Sequence, residues 1–145
     1  MYLMSDLKKL TDIGFLKAGN WTMTPTGIKS VLSAYAESRN VLYCFVSEGV
    51  VLYLGKTVGS LKQRMNGYQN PASSQTTNVK GNKNIKCLLA DGNPVEIYAY
   101  PDNGLLHFGV FHINLAAGLE DSIVRKLKPK WNQTGTYNKE TNATL

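Results

Sequence analysis

The chain has 145 residues, a hydrophobic fraction of 43% and a formal net charge of +6, which suits one domain with its own core. Its apolar runs are all shorter than the roughly 20 residues of a membrane span, and the first residues lack the long apolar core of a signal peptide. We therefore expect a cytoplasmic protein that has no membrane segment. The positive charge permits nucleic-acid binding without proving it.

Residues 1–40 are predicted to form an accessory N-terminal layer. A short helix capped by Ser5 comes first, followed by a strand, or a strand pair bent at Gly19-Asn20, over residues 15–23. Helical spacing of apolar residues predicts a second helix over residues 28–35. The layer either covers the sheet or contacts a second protomer or a DNA groove. The large side chains it would display are Trp21, Ile28 and Tyr35.

Two apolar runs, at 41–46 and 50–54, predict a β-hairpin. A two-residue turn between them would place Glu48 at positive φ, which is unfavourable for a residue with a side chain. A three-residue loop that ends in glycine avoids this strain. That register places Tyr43 opposite Tyr53, so the two phenols would share one face of the ribbon.

A further helix is predicted to begin after Ser60, which can form a capping box with Gln63. Arg64 lies at the edge of its inner face, one turn before Tyr68, and can be directed towards the hairpin. The remaining segments are a polar stretch over 69–84 that leads into a helix ending at 92, a strand over 95–100, an extended stretch over 105–113, a helix over 115–127 and a flexible tail over 134–145.

One carboxylate lies on the apolar face of the last predicted helix. Leu119, Ile123 and Leu127 recur at helical spacing, and Glu120 falls on the same face. A carboxylate directed at the core costs several kcal/mol unless a metal, an arginine or several donors satisfy it. Both a structural Glu–Arg pair and a metal ligand meet that requirement.

The two histidines do not predict a metal site. His107 and His112 are five residues apart on an extended segment, which would place them on opposite faces of that segment. We therefore expect structural or surface roles for both side chains.

Five short segments, in this order and spacing, resemble the GIY-YIG nuclease superfamily over residues 41–133. They are Val41-Leu42-Tyr43, Tyr53-Leu54-Gly55, Arg64, Glu120 and Asn132. The polar stretch and the strand Val-Glu-Ile-Tyr-Ala-Tyr resemble the small type II restriction endonucleases most. Two positions depart from the family pattern, because Val41 replaces a glycine and Tyr68 stands where many members have histidine. Tyr68 is then either a hydrogen-bonding phenol or a packing residue.

We interpret the chain as an α/β domain with a small antiparallel β-sheet flanked by helices, and the resemblance implies a GIY-YIG-like core over 41–133. It also implies a metal-dependent DNA endonuclease, in particular a restriction-type double-strand cutter. The catalytic residues would be Tyr43, Tyr53, Lys56, Arg64 and Glu120. A structure-selective repair or recombination nuclease and a catalytically idle nucleic-acid-binding module are the alternatives.

Phosphodiester hydrolysis needs an activated water, neutralised phosphoryl charge and help for the leaving oxygen. Tyr43 is the candidate base. A free phenol titrates near ~10, and Arg64, Lys56 and a metal would lower its pKa by favouring the phenolate. Glu120 would hold one Mg²⁺ or Mn²⁺ ion, and a one-metal mechanism is preferred because we find no second matching carboxylate. The tyrosines could instead only pack, and Lys56 could be a solvated turn residue.

Double-stranded DNA is the expected partner, bound by a homodimer so that each protomer cuts one strand. Basic residues alternate with amides and hydroxyls rather than with carboxylates, as a phosphate-contacting surface requires. Ordinary solvated lysines are the alternative, and Asn132 could simply cap the chain end. The candidate DNA-binding residues are Lys62, Tyr68, Asn70, Ser74, Gln75, Thr77, Asn78, Lys80, Lys83, Lys86 and Asn132.

Overall fold

An antiparallel sheet with helices on both faces organises residues 4–133, the part of the chain that the computed structural model describes. The elements are α1 (Asp6–Ile13), β1 (Leu16–Thr24), β2 (Gly27–Leu32), β3 (Arg39–Ser47), β4 (Val50–Ser60), α2 (Leu61–Gln69), α3 (Thr76–Ala90), β5 (Val95–Pro101), β6 (His107–Phe108), β7 (Phe111–His112), α4 (Leu115–Leu127) and a 3-10 helix (Lys130–Asn132). Five strands form the sheet in the order β2-β1-β5-β3-β4. The predicted α/β architecture is confirmed. The predicted tail, 134–145, lies outside the described residues.

The N-terminal region contributes two strands to this same sheet. β1 pairs with β2 on one side and with β5 on the other, so it is continuous with the predicted core. The helix predicted over 28–35 is wrong, because the chain turns at Gly27, at φ +146°, and pairs back on β1. Trp21 and Ile28 are buried. The prediction that these two side chains are displayed to a partner is therefore wrong as well.

Two hydrophobic cores lie on opposite faces of the sheet. The first packs α2 and α3 against sheet residues that include Phe45 and Ile97. The second packs α1 and α4 against sheet residues that include Leu42 and Leu54. β3 is buried on both faces, which explains its nearly continuous apolar sequence. Among the helices of this part of the chain, none has the length and hydropathy needed to cross a membrane.

The hairpin between β3 and β4 has a tighter turn than predicted. Ser47 pairs with Val50, and the two residues between them have positive φ, 49° at Glu48 and 81° at the following glycine. This is the pattern of a type I′ turn, whose twist matches that of the flanking strands. The predicted register is wrong, since Tyr43 lies opposite Gly55 and a bulge follows Phe45.

A second, two-stranded hairpin connects β5 to α4. Its turn reverses the predicted extended stretch, so His107 and His112 are paired residues with ring centroids 5.7 Å apart. The prediction that they point to opposite faces is therefore wrong. The Nε2 atom of His112 lies 2.7 Å from an Asp102 carboxylate oxygen, which gives the histidine a structural partner.

Candidate active site

β4 carries several site residues on alternating faces. Tyr53 packs against the core on the side of α2 and α3, whereas Leu54 packs against the core on the side of α4. Between them and Lys56 lies Gly55, where an added Cβ would be 2.7 Å from the Tyr43 hydroxyl and 2.9 Å from the Tyr53 ring. Only glycine fits there, because any side chain would push the two phenols away from the strand. This is the physical reason for glycine in the Tyr-Leu-Gly segment.

Arg64 is held at this point by the start of α2. The predicted capping box between Ser60 and Gln63 is confirmed, and it fixes the first turn of the helix. The Arg64 Nε donates to the Tyr43 hydroxyl at 3.0 Å, Nη2 donates to the Tyr68 hydroxyl at 3.0 Å, and Nη1 donates to the Asn78 amide oxygen at 2.6 Å.

This network leaves part of the guanidinium available. The three hydrogen bonds use one N–H of each nitrogen, so one N–H remains on each terminal nitrogen of Arg64. These remaining N–H groups are charged donors that suit phosphate oxygens. The Arg64 guanidinium also lies 4.3 Å from the centre of the Tyr68 ring, and this contact further restricts its orientation.

Tyr43 is enclosed, and this overturns the expectation that its pKa is lowered. Its side chain is completely buried, and its hydroxyl lies 2.7 Å from that of Tyr68. Burial raises the pKa of Tyr43 well above its ordinary value and outweighs the opposite effect of Arg64. Burial also raises the pKa of Tyr68. Both phenols are therefore neutral hydrogen-bonding groups that water does not reach, and Tyr68 is a hydrogen-bonding phenol rather than packing alone.

Tyr53 is the accessible phenol of the group. Its side chain is half-buried, and its ring lies 6.3 Å from that of Tyr43 and 5.8 Å from that of Phe45. Within residues 4–133 its hydroxyl makes no hydrogen bond. The Tyr53 ring is thus held near Gly55 by packing, while its hydroxyl proton and lone pairs remain unused.

Glu120 and Lys56 form the second part of the site. Asn114 caps α4 by accepting from the Ala117 N–H, and the helix places a Glu120 oxygen 3.9 Å from the Lys56 Nζ. The Glu120 side chain is 29% exposed. The structural Glu–Arg pair is not formed, because Arg125 pairs with Asp121.

The donor set at Glu120 fits a hard divalent cation held by one carboxylate. In the described part of the chain, no cluster of three or more His, Cys, Asp or Glu side chains could hold a metal ion. Mg²⁺ is commonly bound by one or two carboxylates and several waters, without a complete protein cage. Glu120 meets this requirement because its carboxylate is partly exposed and, among residues 4–133, has only the distant Lys56 as a partner.

The predicted DNA-binding residues fall into two groups. The exposed ones lie on α2, on α3 and between these helices, and are Lys62, Asn70, Ser74, Gln75, Thr77, Lys80, Lys83 and Lys86. Tyr68 and Asn78 are buried and hold Arg64. Both ends of the Asn132 amide bond to the backbone of Leu54 at 2.8 Å, so this side chain secures β4.

The role of Asn78 was missed by the sequence analysis. Its amide oxygen accepts from Arg64, and its Nδ2 donates to Gln75 at 2.9 Å. Asn78 lies seven residues before the buried Ile85, on the same face of α3. A polar residue on that inward face was the available signal.

The buried tyrosine and cysteine side chains predict a loss of stability at high pH. A group whose pKa is raised by folding stabilises the protein below its unfolded pKa, and that stability is lost as the pH rises beyond it. Tyr43, Tyr68 and Cys44 all have pKa values raised by burial. Above about pH 10 we expect the free energy of unfolding to fall by about 1.4 kcal/mol per pH unit for each group.

Urea denaturation at a series of pH values measures this slope. Tyr43→Phe removes one titrating group, so the free energy of unfolding should fall less steeply with pH, by the contribution of one proton. A free energy of unfolding that stays constant above about pH 10 would contradict the raised pKa values.

Comparison with known proteins identifies the fold. No protein-family model matches the chain, and no curated protein matches it. A mutant of bacteriophage T4 EndoII has a similar structure, with a TM-score of 0.66 and 21% sequence identity over 90% of this chain and 99% of that chain. Restriction endonuclease HPY188I in complex with product DNA is also similar, with a TM-score of 0.51 and 15% identity over 93% of this chain and 82% of that one. The chain therefore has the fold of these two structures.

Proposed function

We propose that the protein is a metal-dependent DNA endonuclease of the GIY-YIG type that acts in the cytoplasm as a restriction-type double-strand cutter. The observation that carries the proposal is Arg64, which three hydrogen bonds hold beside the phenols with one N–H unused on each terminal nitrogen. Similarity to EndoII and to a restriction endonuclease bound to product DNA supports it.

A DNA strand lying along the outer edge of β4 would contact both parts of the site. The unused N–H groups of Arg64 would bind oxygens of the scissile phosphate, and Lys56 would neutralise further charge. Tyr53, rather than Tyr43, would act as the base: its hydroxyl would first lose its proton to solvent, and the phenolate would then orient the attacking water and accept a proton from it. Tyr43 and Tyr68 would keep Arg64 in position. Tyr53 takes the role of base because water does not reach the Tyr43 oxygen.

Glu120 would hold one Mg²⁺ or Mn²⁺ ion beside the phosphate. When bound, the ion would neutralise developing charge and assist the leaving oxygen. Lys56, at 3.9 Å from the carboxylate, would keep Glu120 directed towards the edge of β4. The N-cap at Asn114 would fix the position of α4 and hence of this carboxylate.

Plasmid digestion with magnesium, set against a chelated control, tests the function. Discrete fragments that form with magnesium but not in the chelated control would support a restriction enzyme. Sequencing of the fragment ends would identify the target. Cutting confined to flaps or branches would favour a repair nuclease. Binding without cutting would favour a catalytically idle module and would contradict the proposal.

Three lysines on α3 are expected to contact the phosphate backbone. Lys80, Lys83 and Lys86 are exposed, and in residues 4–133 none of them forms an ion pair. Replacing all three by Ala should weaken DNA binding and reduce the salt slope of log K by about 3 × 0.9 if each contacts a phosphate. Fluorescence anisotropy over a salt series measures this slope. Lys8, on α1 and paired with Asp12, provides a control substitution, and an unchanged slope in the triple variant would contradict the contact.

We propose that the hairpin of β6 and β7 joins two protomers on DNA. Phe108 is 80% exposed and Phe111 is 73% exposed, and residues 101–114 contain neither lysine nor arginine. Such a surface does not attract phosphate, but it can bury itself against the same surface of a second copy.

Changing Phe108 and Phe111 together to Ser should halve the mass of protein bound to DNA, as measured by light scattering of the protein–DNA complex. Double-strand cutting should become nicking, since each protomer carries one set of catalytic residues. Val50→Ser, at an exposed valine on β4, is the matched control. A variant that still forms the dimer would exclude the hairpin as the contact.

A further inference from the structure

A cavity of about 220 Å³ lies beside the proposed active site. It is formed between β4, the end of α2, the first half of α3 and the 3-10 helix, and Tyr53 is part of its wall. The groups proposed to bind the scissile phosphate and the metal, Arg64, Lys56 and Glu120, do not line it. The mechanism proposed above therefore assigns it no role, although it shares a side chain with the site.

Aromatic rings form much of the cavity wall. Phe45 and Tyr68 are buried and pack edge-to-face at 5.2 Å, and Tyr53 stacks on Phe45 at 27° between ring planes. Trp131 contributes a fourth ring. At Gly81 an added Cβ would be 2.6 Å from the Tyr68 ring, so the absence of a side chain lets α3 approach the aromatic cluster. The buried Phe45 and Tyr68 support this wall from behind, and the partly exposed rings of Tyr53 and Trp131 offer flat surfaces for stacking.

The other side of the cavity is polar and lacks negative charge. Thr76, Thr77 and Asn84 line it, and within residues 4–133 their side chains make no hydrogen bonds. Lys80 adds an exposed cation, and no carboxylate of the described residues lines the space. Unused donors and acceptors, aromatic faces and one cation together suit a planar heterocycle that carries a phosphate.

We propose that this cavity binds a single nucleobase that is extruded from the duplex beside the scissile phosphate. The inference rests on the proposed nuclease function. The volume is below the roughly 300 Å³ of ordinary drug-sized pockets, so it admits one base and not a base pair. Stacking on the aromatic wall would offset the loss of stacking in the duplex. Because Tyr53 belongs to both sites, the bound base would lie next to the reacting phosphate.

Tryptophan fluorescence tests base binding without any cleavage. The chain has two tryptophans, and Trp21→Phe leaves Trp131 as the reporter. This background should fold, because the Trp21 indole N–H is buried without a partner and the substitution removes that unsatisfied donor. We expect saturable quenching by at least one deoxynucleoside 5′-monophosphate, corrected for nucleotide absorption, and none by inorganic phosphate or deoxyribose 5-phosphate. Equal quenching by inorganic phosphate, or none by any mononucleotide, would overturn the proposal.

Filling the cavity supplies the matched comparison. Thr77→Phe places a ring at the cavity wall, whereas Val79→Phe places one at an exposed position of the same helix that does not line the cavity. Thr77→Phe should weaken mononucleotide binding by about tenfold or more, since the ring occupies the space for the base. Val79→Phe should bind as the Trp21→Phe background does. Equal binding by both variants would show that the base lies elsewhere and would overturn the proposal.

Mismatched duplexes test extrusion itself. A base in a mismatch is already unpaired, so extruding it costs less free energy. A mismatch at one position next to the cut should therefore tighten DNA binding by about tenfold. Binding is measured with Ca²⁺ in place of Mg²⁺. Thr77→Phe should lose this gain and Val79→Phe should keep it. If plasmid is cut but no mismatch position tightens binding, the extrusion proposal fails while the nuclease proposal stands. A mismatch gain in a protein that cuts nothing would contradict the nuclease proposal instead.

Discussion

Glu120→Gln is expected to lower the rate of DNA cleavage by about a thousandfold or more while DNA binding remains. Gln has nearly the same size but is a poor ligand for a hard cation, so the variant would lose several kcal/mol of transition-state stabilisation, each ~1.4 kcal/mol being tenfold. DNA affinity should change little, because the three exposed lysines of α3, rather than this carboxylate, are expected to contact the phosphate backbone. Single-turnover cleavage and fluorescence anisotropy measure the two quantities separately.

Asp121→Asn is the matched control for this substitution. Asp121 is the next residue on α4, is largely exposed, and pairs with Arg125 rather than with Lys56. Losing such an exposed pair changes stability by less than about 1 kcal/mol, and we expect wild-type cleavage. If Glu120→Gln were as active as this control, the metal assignment would fail.

Tyr53→Phe and Tyr43→Phe should separate catalysis from positioning. Tyr53→Phe removes a hydroxyl that has no partner in residues 4–133, so it should leave stability unchanged and lower the cleavage rate by about 10²–10⁴-fold. Tyr43→Phe removes the acceptor of the Arg64 Nε and leaves buried donors unsatisfied. It should cost about 1–3 kcal/mol of stability and also slow cleavage, because Arg64 loses its fixed orientation.

Thermal denaturation and single-turnover kinetics on the same two variants decide between these roles. The pattern expected for a positioning residue is a joint loss of stability and rate in Tyr43→Phe. A Tyr53→Phe variant that cuts at the wild-type rate would remove Tyr53 as the base. If the rate loss in Tyr43→Phe came without any loss of stability, Tyr43 would have to act directly on the substrate.

Local signals in the sequence predicted much of this structure. The capping box at Ser60, the helix that carries Glu120 and the orientation of Arg64 towards the hairpin each depend on neighbours within one or two turns. Such interactions are encoded by spacing alone. They were enough to bring the candidate site residues together in outline.

Long-range packing decided the features that the sequence did not predict. The apolar spacing over 28–35 fits both a helix and a strand, and pairing of β2 with β1 settles it as a strand. The burial of Tyr43 depends on β5, α2 and α3, which are distant in sequence. The continuous apolar run of β3 was a signal that both of its faces are covered, and it pointed to an enclosed Tyr43.

The two hydrogen bonds between Asn132 and Leu54 also protect the protein from self-association through its sheet edge. β4 is an edge strand, and an edge with unpaired backbone groups is a template for another chain to add to the sheet. The Asn132 amide satisfies both the N–H and the C=O of Leu54, as a neighbouring strand would, and so blocks such addition at mid-strand. The nearby Lys56 remains exposed. A chain shortened before Lys130 would lose this cover and become prone to aggregate through β4.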